Sequence, residues 1–432
     1  MSPKKRQASG GKGEDAAAAF SFLGFPVAGV DRATLTRHLL VLGGLSLLVK
    51  VATLVATVWV FHSFIDLFDI SYYLKFALKV YGGQIPYADF TVDYPQLAFV
   101  SILLPLVPAL ATKSADLYVL SHQALMALFD LGTTVLVYLV ALKLWDARRA
   151  FMAGVLYATA FSGAYFVLTK YDAYPTFFLV LSVALFVYGR ELAGYVAGTI
   201  GLLVKWFPAL ALPYFLIHDL KEGRGRKEIL RRIGICAALT LVVTGPFLLL
   251  SPSGFLRTYT VNTGFNVLTH SLVYYLDFVT GNLLQVRFFG EISLFLTVIV
   301  QLGLIFLSYR HPSRGMRTLC GFVFLSVLAF ILTNKIASPQ YFAWVTPFLA
   351  IFLAGTLPEM ALFFTAQLWT YLEFPLLYNV LYNNITGYGD PALGFPLVTF
   401  TFFTVKFLIF FALAFAVARR AGILPAAGKA ET

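Results

Sequence analysis

Apolar runs of about twenty residues recur from the first fifty positions of this chain almost to its end, and few charges interrupt them. A segment of that length and apolarity has one common destination, the hydrocarbon core of a bilayer. Of the 432 residues, 59% are hydrophobic and only 12% charged, with a mean hydropathy of +0.81. Soluble domains carry about 25% charged residues, and the runs leave no space for one of ordinary size. The runs do not alternate as barrel strands would, so satisfying the backbone in lipid favours helices. The expected fold class is an all-α polytopic membrane protein.

The net charge of +11 lies largely in short loops and tails, and reads as topology and lipid contact rather than nucleic-acid binding. Cys236 and Cys320 both fall in apolar runs, which points to packing and to neither a disulfide framework nor a zinc site. Residues 1–15 are basic, small and polar, as expected for a disordered cytoplasmic tail. Ala16–Val30 is flanked by basic residues and reads as an interfacial segment rather than a cleaved signal peptide. The expected divisions are a tail and interfacial segment over 1–38, a first transmembrane module over 39–232 and a second over 233–432.

The first span is expected over Leu39–Phe61, with Lys50 near its middle and therefore turned to the bundle interior. The loop Phe61–Pro95 (FHSFIDLFDISYYLKFALKVYGGQIPYADFTVDYP) then concentrates the acids Asp66, Asp69, Asp89 and Asp93, with Asp116 beyond the next run. Inside it, Ile70–Val80 has the spacing of a surface helix with Tyr72, Phe76 and Val80 on one side and Lys75 and Lys79 off it. Gly82-Gly83 end that helix and Pro86-Tyr87 begin a turn.

Further runs follow at Leu97–Ala111 (with Pro105 and Pro108), Leu117–Leu144, Ala150–Leu168, Tyr174–Tyr188 and Ala193–Leu216. Trp145–Arg149 and His218–Arg232 are both basic and both expected in the cytoplasm, yet three runs separate them. One run is therefore not a full crossing, and Leu97–Ala111 and Tyr174–Tyr188 are the shortest. Beyond His218–Arg232 the runs Ile233–Leu250, Ile292–Tyr309, Cys320–Leu332, Ala343–Phe352, Ala361–Tyr378 and Val398–Val417 alternate regularly, with Arg419-Arg420 inside. About eleven to thirteen spans are expected, with both termini cytoplasmic. No internal repeat is visible, which disfavours transporters built from inverted repeats.

Several polar groups stand out against this background. Asp66 and Asp69 flank the start of the loop helix; one of them is a general base just outside the membrane, or Asp69 merely caps the helix. Lys170-Tyr171-Asp172 lies between two apolar runs, as a head-group pocket or as a snorkelling pair. Lys205 in Lys205-Trp206-Phe207-Pro208 is costly at its depth unless paired, and a cation there suits a lipid phosphate. Asn334-Lys335 before Ser338-Pro339-Gln340-Tyr341 is similar but nearer the interface. Arg257, Asn262, Asn266, His270 and Asp277 fall in a long outside loop, and Asn384-Ile385-Thr386 is a glycosylation sequon. There is no phosphate-binding glycine loop, metalloprotease helix, nucleophile elbow or Cys-X-X-Cys.

Three of these motifs, in order, resemble a known group. Asp69 with Pro86-Tyr87 seventeen residues later and then Tyr94-Pro95 is similar to the first lumenal loop of glycosyltransferases that use a polyprenyl-phosphate sugar, the GT-C superfamily. Val204–Pro208 looks like that group's Lys-aromatic-Pro segment. Asn334–Trp344 looks like its Asn-Lys…Ser-Gln-Tyr-Phe-Leu-Trp motif. The nearest likeness is to the catalytic subunit that adds the first mannose in glycosylphosphatidylinositol synthesis, and to prokaryotic mannosyltransferase relatives. The eukaryotic relatives carry Asp-X-Asp in this loop; here Asp66 is displaced by one position, which brings the single-acid prokaryotic relatives closer.

The resemblance implies a GT-C-type helical bundle with an interfacial helix in the first outside loop. It implies transfer of a sugar, mannose first, from a polyprenyl- or dolichyl-phosphate donor to a lipid or glycan acceptor on the non-cytoplasmic face. Asp69 would be the general base, Asp66 and Asp172 further acids or acceptor contacts, and Lys205, Lys335 and Arg257 the donor-phosphate cations. Tyr73, Tyr94, Gln340 and Tyr341 would complete the pocket. The leaving group is a phosphate, so one carboxylate suffices and the anomeric centre inverts. No metal ligand is assigned, a divalent cation (Mg or Mn) stays open, and a protein partner is not readable. The membrane would be the plasma membrane in a prokaryote or the ER in a eukaryote. The competing class is a transporter or flippase for a lipid-linked or anionic solute, which would need a midplane site reachable from both sides; the acids and the Ser338–Tyr341 turn gather instead on one face. A structural subunit of a larger transferase complex is the third reading.

Overall fold

The computed structural model describes residues 19–261, 264, 267–286, 290–382 and 397–425. The expected interfacial segment is a short antiparallel hairpin, β1 (Phe20–Phe22) against β2 (Phe25–Val27), whose Phe25 and Val27 are buried. Among the described residues, every later regular element is a helix, apart from an isolated bridge between Pro86 and Phe90. The helices, in order, are α1 (Arg32–Val55), α2 (Phe68–Tyr81), α3 (Ala98–Leu103), α4 (Leu106–Thr112), α5 (Ala115–Leu144), α6 (Ala147–Ala158), α7 (Phe161–Thr169), α8 (Ala173–Val187), α9 (Glu191–Val204) and α10 (Leu212–Lys221). They continue with α11 (Arg226–Leu250), α12 (Pro252–Val261), α13 (Leu272–Val279), α14 (Gly290–Arg310), α15 (Met316–Thr333), α16 (Phe342–Leu353), α17 (Leu357–Tyr371), α18 (Tyr378–Tyr382) and α19 (Leu397–Arg420). This is an all-α multi-pass membrane protein.

Among the described residues, six helices are by themselves long and apolar enough to cross a bilayer: α1 with its extension to Val60, α5, α11, α14, α15 and α19. The pair α6 and α7, bent by 53°, would make a seventh. Where the sequence suggested eleven to thirteen spans, the other runs prove short or broken, as at Pro105, Lys205 and Phe374. Helices α11 and α14 are almost wholly exposed, with Leu241, Val242, Leu249, Phe295, Leu302 and Phe306 pointing outward, as lipid-facing helices should. The main core gathers residues from α1 through α19, and a second core packs beneath α2.

The imbalance between the two basic loops has a different origin from the one expected. The run Ala193–Leu216 is not one helix. It breaks at Lys205, whose backbone is extended, into α9 and a 3-10 turn (Phe207–Ala211) leading to α10. The two limbs lie antiparallel. A Cβ on Gly201 would come within 2.6 Å of Pro208, one on Gly198 within 2.7 Å of Leu212, and the Tyr195 hydroxyl donates to Asp219 over 2.9 Å. Only glycines permit that approach. The run thus reverses direction, and neither Leu97–Ala111 nor Tyr174–Tyr188 is needed to restore parity.

The basic residues collect at the far end of these limbs. Arg232 bridges Asp219 and Glu191, and the Lys221 ammonium donates to the Ser308 and His311 carbonyls at the end of α14, each over 2.6 Å. Lys50 is buried as expected and pairs with Asp130 at 2.5 Å, where the Tyr157 hydroxyl also donates over 2.7 Å. Cys236 and Cys320 are free thiols.

Candidate functional site

At the other end of the bundle, helix termini deliver one charge after another to a common place. The loop helix exists as read from the sequence, but begins at Phe68 and buries Ile70, Tyr73, Phe76 and Ala77. Tyr73 rather than Tyr72 therefore forms the inner face; Tyr72 is half-buried. Gly82 caps the end and Gly83 takes a positive φ of 86°, which the missing Cβ allows.

Asp69 does not cap this helix. The N-cap is Leu67, without a side-chain bond, and the Phe68 N–H donates to Asp66 Oδ1 over 3.0 Å. Asp69 sits in the first turn, with its carboxylate free of backbone duty. Asp66 lies just before the helix and Asp69 in its first turn, and Lys170, from the end of α7, reaches both. Its Nζ lies 2.7 Å from Asp66 Oδ2 and 3.1 Å from Asp69 Oδ2. The Lys170 side chain is 6% exposed and those of Asp66 and Asp69 are 19% and 22% exposed, so the cation is the most deeply buried of the three. Tyr165 on α7 fixes the approach by donating to Phe64 O and accepting from the Asp66 N–H.

Burial holds the Asp69 carboxyl above the usual carboxylate range; Lys170 opposes this, and the charges of Asp66 and Asp172 add to it. Asp93 is raised by burial in the same way, helped by Asp69 and opposed by Lys205, and its Oδ1 has no hydrogen-bond partner among the described residues.

Two residues beyond Lys170, Asp172 precedes α8 and is fully buried. Its Oδ1 accepts from Lys205 Nζ and from Trp344 Nε1, each over 2.6 Å. Lys205 is thereby paired, as its depth demands, and three rings surround it: Tyr171 at 4.8 Å, Trp344 at 5.0 Å and Tyr341 at 5.4 Å. Phe207, Trp344 and Tyr341 form a continuous stack with centroids 4.0 and 3.9 Å apart. Below the acids, Tyr73, Tyr94 and Tyr171 pack edge to face within 5.3–5.7 Å of one another, and the Tyr87 hydroxyl holds Tyr94 through its carbonyl at 2.7 Å.

Asp66, Asp69, Asp172, Lys205, Tyr73, Tyr94 and Tyr341 thus converge. Gln340 is half-buried in the 3-10 turn beside Tyr341. Lys335 lies in the connection after α15, its ammonium against Gly290 at the start of α14; partial burial lowers it from the usual lysine range. Arg257 stays exposed on α12, a helix tied to the site through Thr258, which donates to Val92 O, and Tyr259, which stacks on Trp206. His270 is buried against Tyr382, and Asp277 is buried on α13, so neither faces an open loop. Asn262, Asn266 and the sequon at Asn384 lie outside the described residues. Sequence reasoning passed over Lys170 as the clamp of both acids, and over Asp93; the signal for Lys170 was a lysine two residues from an aspartate between apolar runs.

The arrangement offers a partly desolvated, partly exposed carboxylate and a caged ammonium nearby, at one end of a membrane bundle. That combination can accept a proton and steady an anion.

No family model matches the chain, and no curated protein matches it. Among solved structures, the oligosaccharyltransferase of Archaeoglobus fulgidus, crystallised in the apo form, is similar over 90% of this chain and 56% of its own, at 13% identity and a TM-score of 0.45. The chain spans little more than half of that protein, and a likeness this distant decides nothing about activity.

Proposed function

We propose that the chain is an integral-membrane glycosyltransferase that moves a sugar, mannose first among the candidates, from a polyprenyl- or dolichyl-phosphate to a lipid or glycan acceptor on the non-cytoplasmic face. One observation carries the reading. Asp69, in the first turn of the loop helix, is partly buried with a raised basicity beside Lys170, and the paired Lys205 stands in the same cluster. Asp69 takes the proton of the acceptor hydroxyl as that oxygen attacks the anomeric carbon. The bond from that carbon to the phosphate oxygen breaks, and the electron pair leaves with the phosphate. A phosphate anion needs no strong acid to depart, so a second carboxylic acid on the leaving-group side, as in glycosidases, is unnecessary. Lys205 uses one of its three donors on Asp172 and presents the others to the phosphate; Lys335 and Arg257 are further cations on the same end. Displacement in one step inverts the anomeric centre.

The test uses purified protein in nanodiscs with radiolabelled polyprenyl-phosphomannose and a membrane lipid extract. The reading expects label in a new product whose linkage is opposite in configuration to the donor's, shown by digestion with configuration-specific glycosidases. Retention of configuration would overturn the one-step mechanism. No transfer from any polyprenyl-linked sugar would overturn the transferase and favour a transporter.

A further inference from the structure

Two carboxylates three residues apart at the start of α2, in a site read as handling a phosphate, invite a divalent ion between them. The residues present do not fit one. An ion such as magnesium sits about 2.0–2.1 Å from its oxygens and gathers six of them. Between Asp66 Oδ2 and Asp69 Oδ2 that space is taken by Lys170 Nζ, at 2.7 and 3.1 Å. A metal bridging the same two oxygens would meet the ammonium as a like charge at contact distance. Among the described residues no group of three or more histidines, cysteines or acids is placed to share an ion. Lys170 is also held in place. It terminates α7 with its N–H on the Phe166 carbonyl at 2.8 Å, and only 6% of its side chain is exposed. Asp66 is fixed in turn by Tyr165 from the same helix.

We propose that Lys170 is the resident cation of this site: it does for Asp66 and Asp69 what a divalent ion does for a metal-bound acid pair, and the chain works without divalent metal. The ammonium offsets the repulsion of the two carboxylates and sets their orientation. It contacts Oδ2 of each carboxylate, while Asp66 Oδ1 accepts from the Phe68 N–H, and unlike an ion its position does not depend on ion concentration. Lys170 is a positioning residue, acting through Asp69. The role in catalysis rests on the transferase reading; the occupancy of the cation position does not, and is tested without substrate.

The experiment is manganese binding, followed by electron paramagnetic resonance, on the full-length protein in nanodiscs. Wild type is expected to show no saturable manganese binding that depends on Asp66. Lys170→Met and Lys170→Gln, compared by size exclusion to confirm folding, vacate the position and are expected to gain a saturable site, lost again when Asp66→Asn is added. Lys170→Arg keeps the charge and is expected to gain none. Asp66-dependent manganese binding by wild type would overturn the proposal, and so would folded Lys170→Met and Lys170→Gln proteins that gain no site. In the transfer assay, wild type is expected to be indifferent to EDTA, while Lys170→Met falls about tenfold to a hundredfold and recovers in part with manganese. If no sugar is transferred by wild type at all, the transferase reading fails, and the binding result still decides the place of Lys170.

Discussion

Lys205 Nζ lies 2.6 Å from Asp172 Oδ1, and this single contact ties together two places where apolar runs stop being helical. Asp172 stands where α7 gives way to α8; Lys205 stands where α9 reverses. Each charge alone would be expensive at its depth, and each is the other's remedy. The same carboxylate oxygen accepts from Trp344, so the start of α16 is drawn to the same point.

Removing the cation should therefore strike donor use. Lys205→Met is expected to lower kcat/KM for the polyprenyl-phosphate sugar by about 10²–10³, the usual size for losing one group that stabilises developing negative charge. Trp344→Phe keeps the ring stack and removes one donor to Asp172. It should cost about 1.5–3 kcal/mol of stability, the range for a hydrogen bond to a charged group, read as a lower melting temperature. Unchanged kinetics in Lys205→Met would remove it from the phosphate.

The rate should depend on pH in a direction set by Asp69. Burial holds its carboxyl above the usual range, and a base acts only when unprotonated. The acid limb of kcat/KM is then expected above the ordinary aspartate value of about 3.9, with the rate falling as pH drops through it. The folded state also holds this proton more tightly than the unfolded chain. Asp69 therefore favours folding most below the ordinary range, and that contribution is lost as pH rises through the raised value. A limb at or below the ordinary value would contradict the account.

The buried pair Lys50–Asp130, which lines the same internal cavity as Asp172, gives a stability test. Lys50→Met leaves Asp130 unpaired in the interior, at a cost of about 3–5 kcal/mol, whereas exchanging both residues for apolar ones should be nearly neutral. Thermal melts of the single and double variants check this. A double variant as unstable as the single one would assign the pair a role beyond mutual neutralisation.

The reversal at Lys205 predicts topology. Single cysteines at Arg148 and Glu222, in a background without Cys236 and Cys320, should be labelled by a membrane-impermeant maleimide from one side. Cysteines at Gln84 and Arg257 should be labelled from the other. If the run Ala193–Leu216 crossed once, Arg148 and Glu222 would fall on opposite sides.

Much of this was legible in advance. Lys50 turned inward and the loop helix with its glycine stop follow from the cost of charge near lipid and from helical spacing, while the placing of Asp69, Asp172 and Lys205 in one site came from the family resemblance. What stayed hidden is instructive in physical terms. Hydropathy adds up residues without direction, so a run that folds back on itself at Lys205 looks like one long span; Gly198 and Gly201, which let the limbs touch, were the available sign. The inner face of α2 was placed one residue off, because Tyr72 and Tyr73 are equally apolar and only their neighbours decide which is buried. The clamp by Lys170 joins residues a hundred positions apart, and no local spacing carries that contact.

The central claim is that Asp69 is the base. The measurement is transfer of label from polyprenyl-phosphomannose by wild type and by Asp69→Asn in nanodiscs, with size exclusion to confirm that both are folded. The account predicts transfer by wild type and a loss of about 10²–10⁴ in the variant, the usual contribution of a general base. Equal transfer by the folded variant would contradict it and move the base to another of the acids gathered there, Asp66, Asp93 or Asp172.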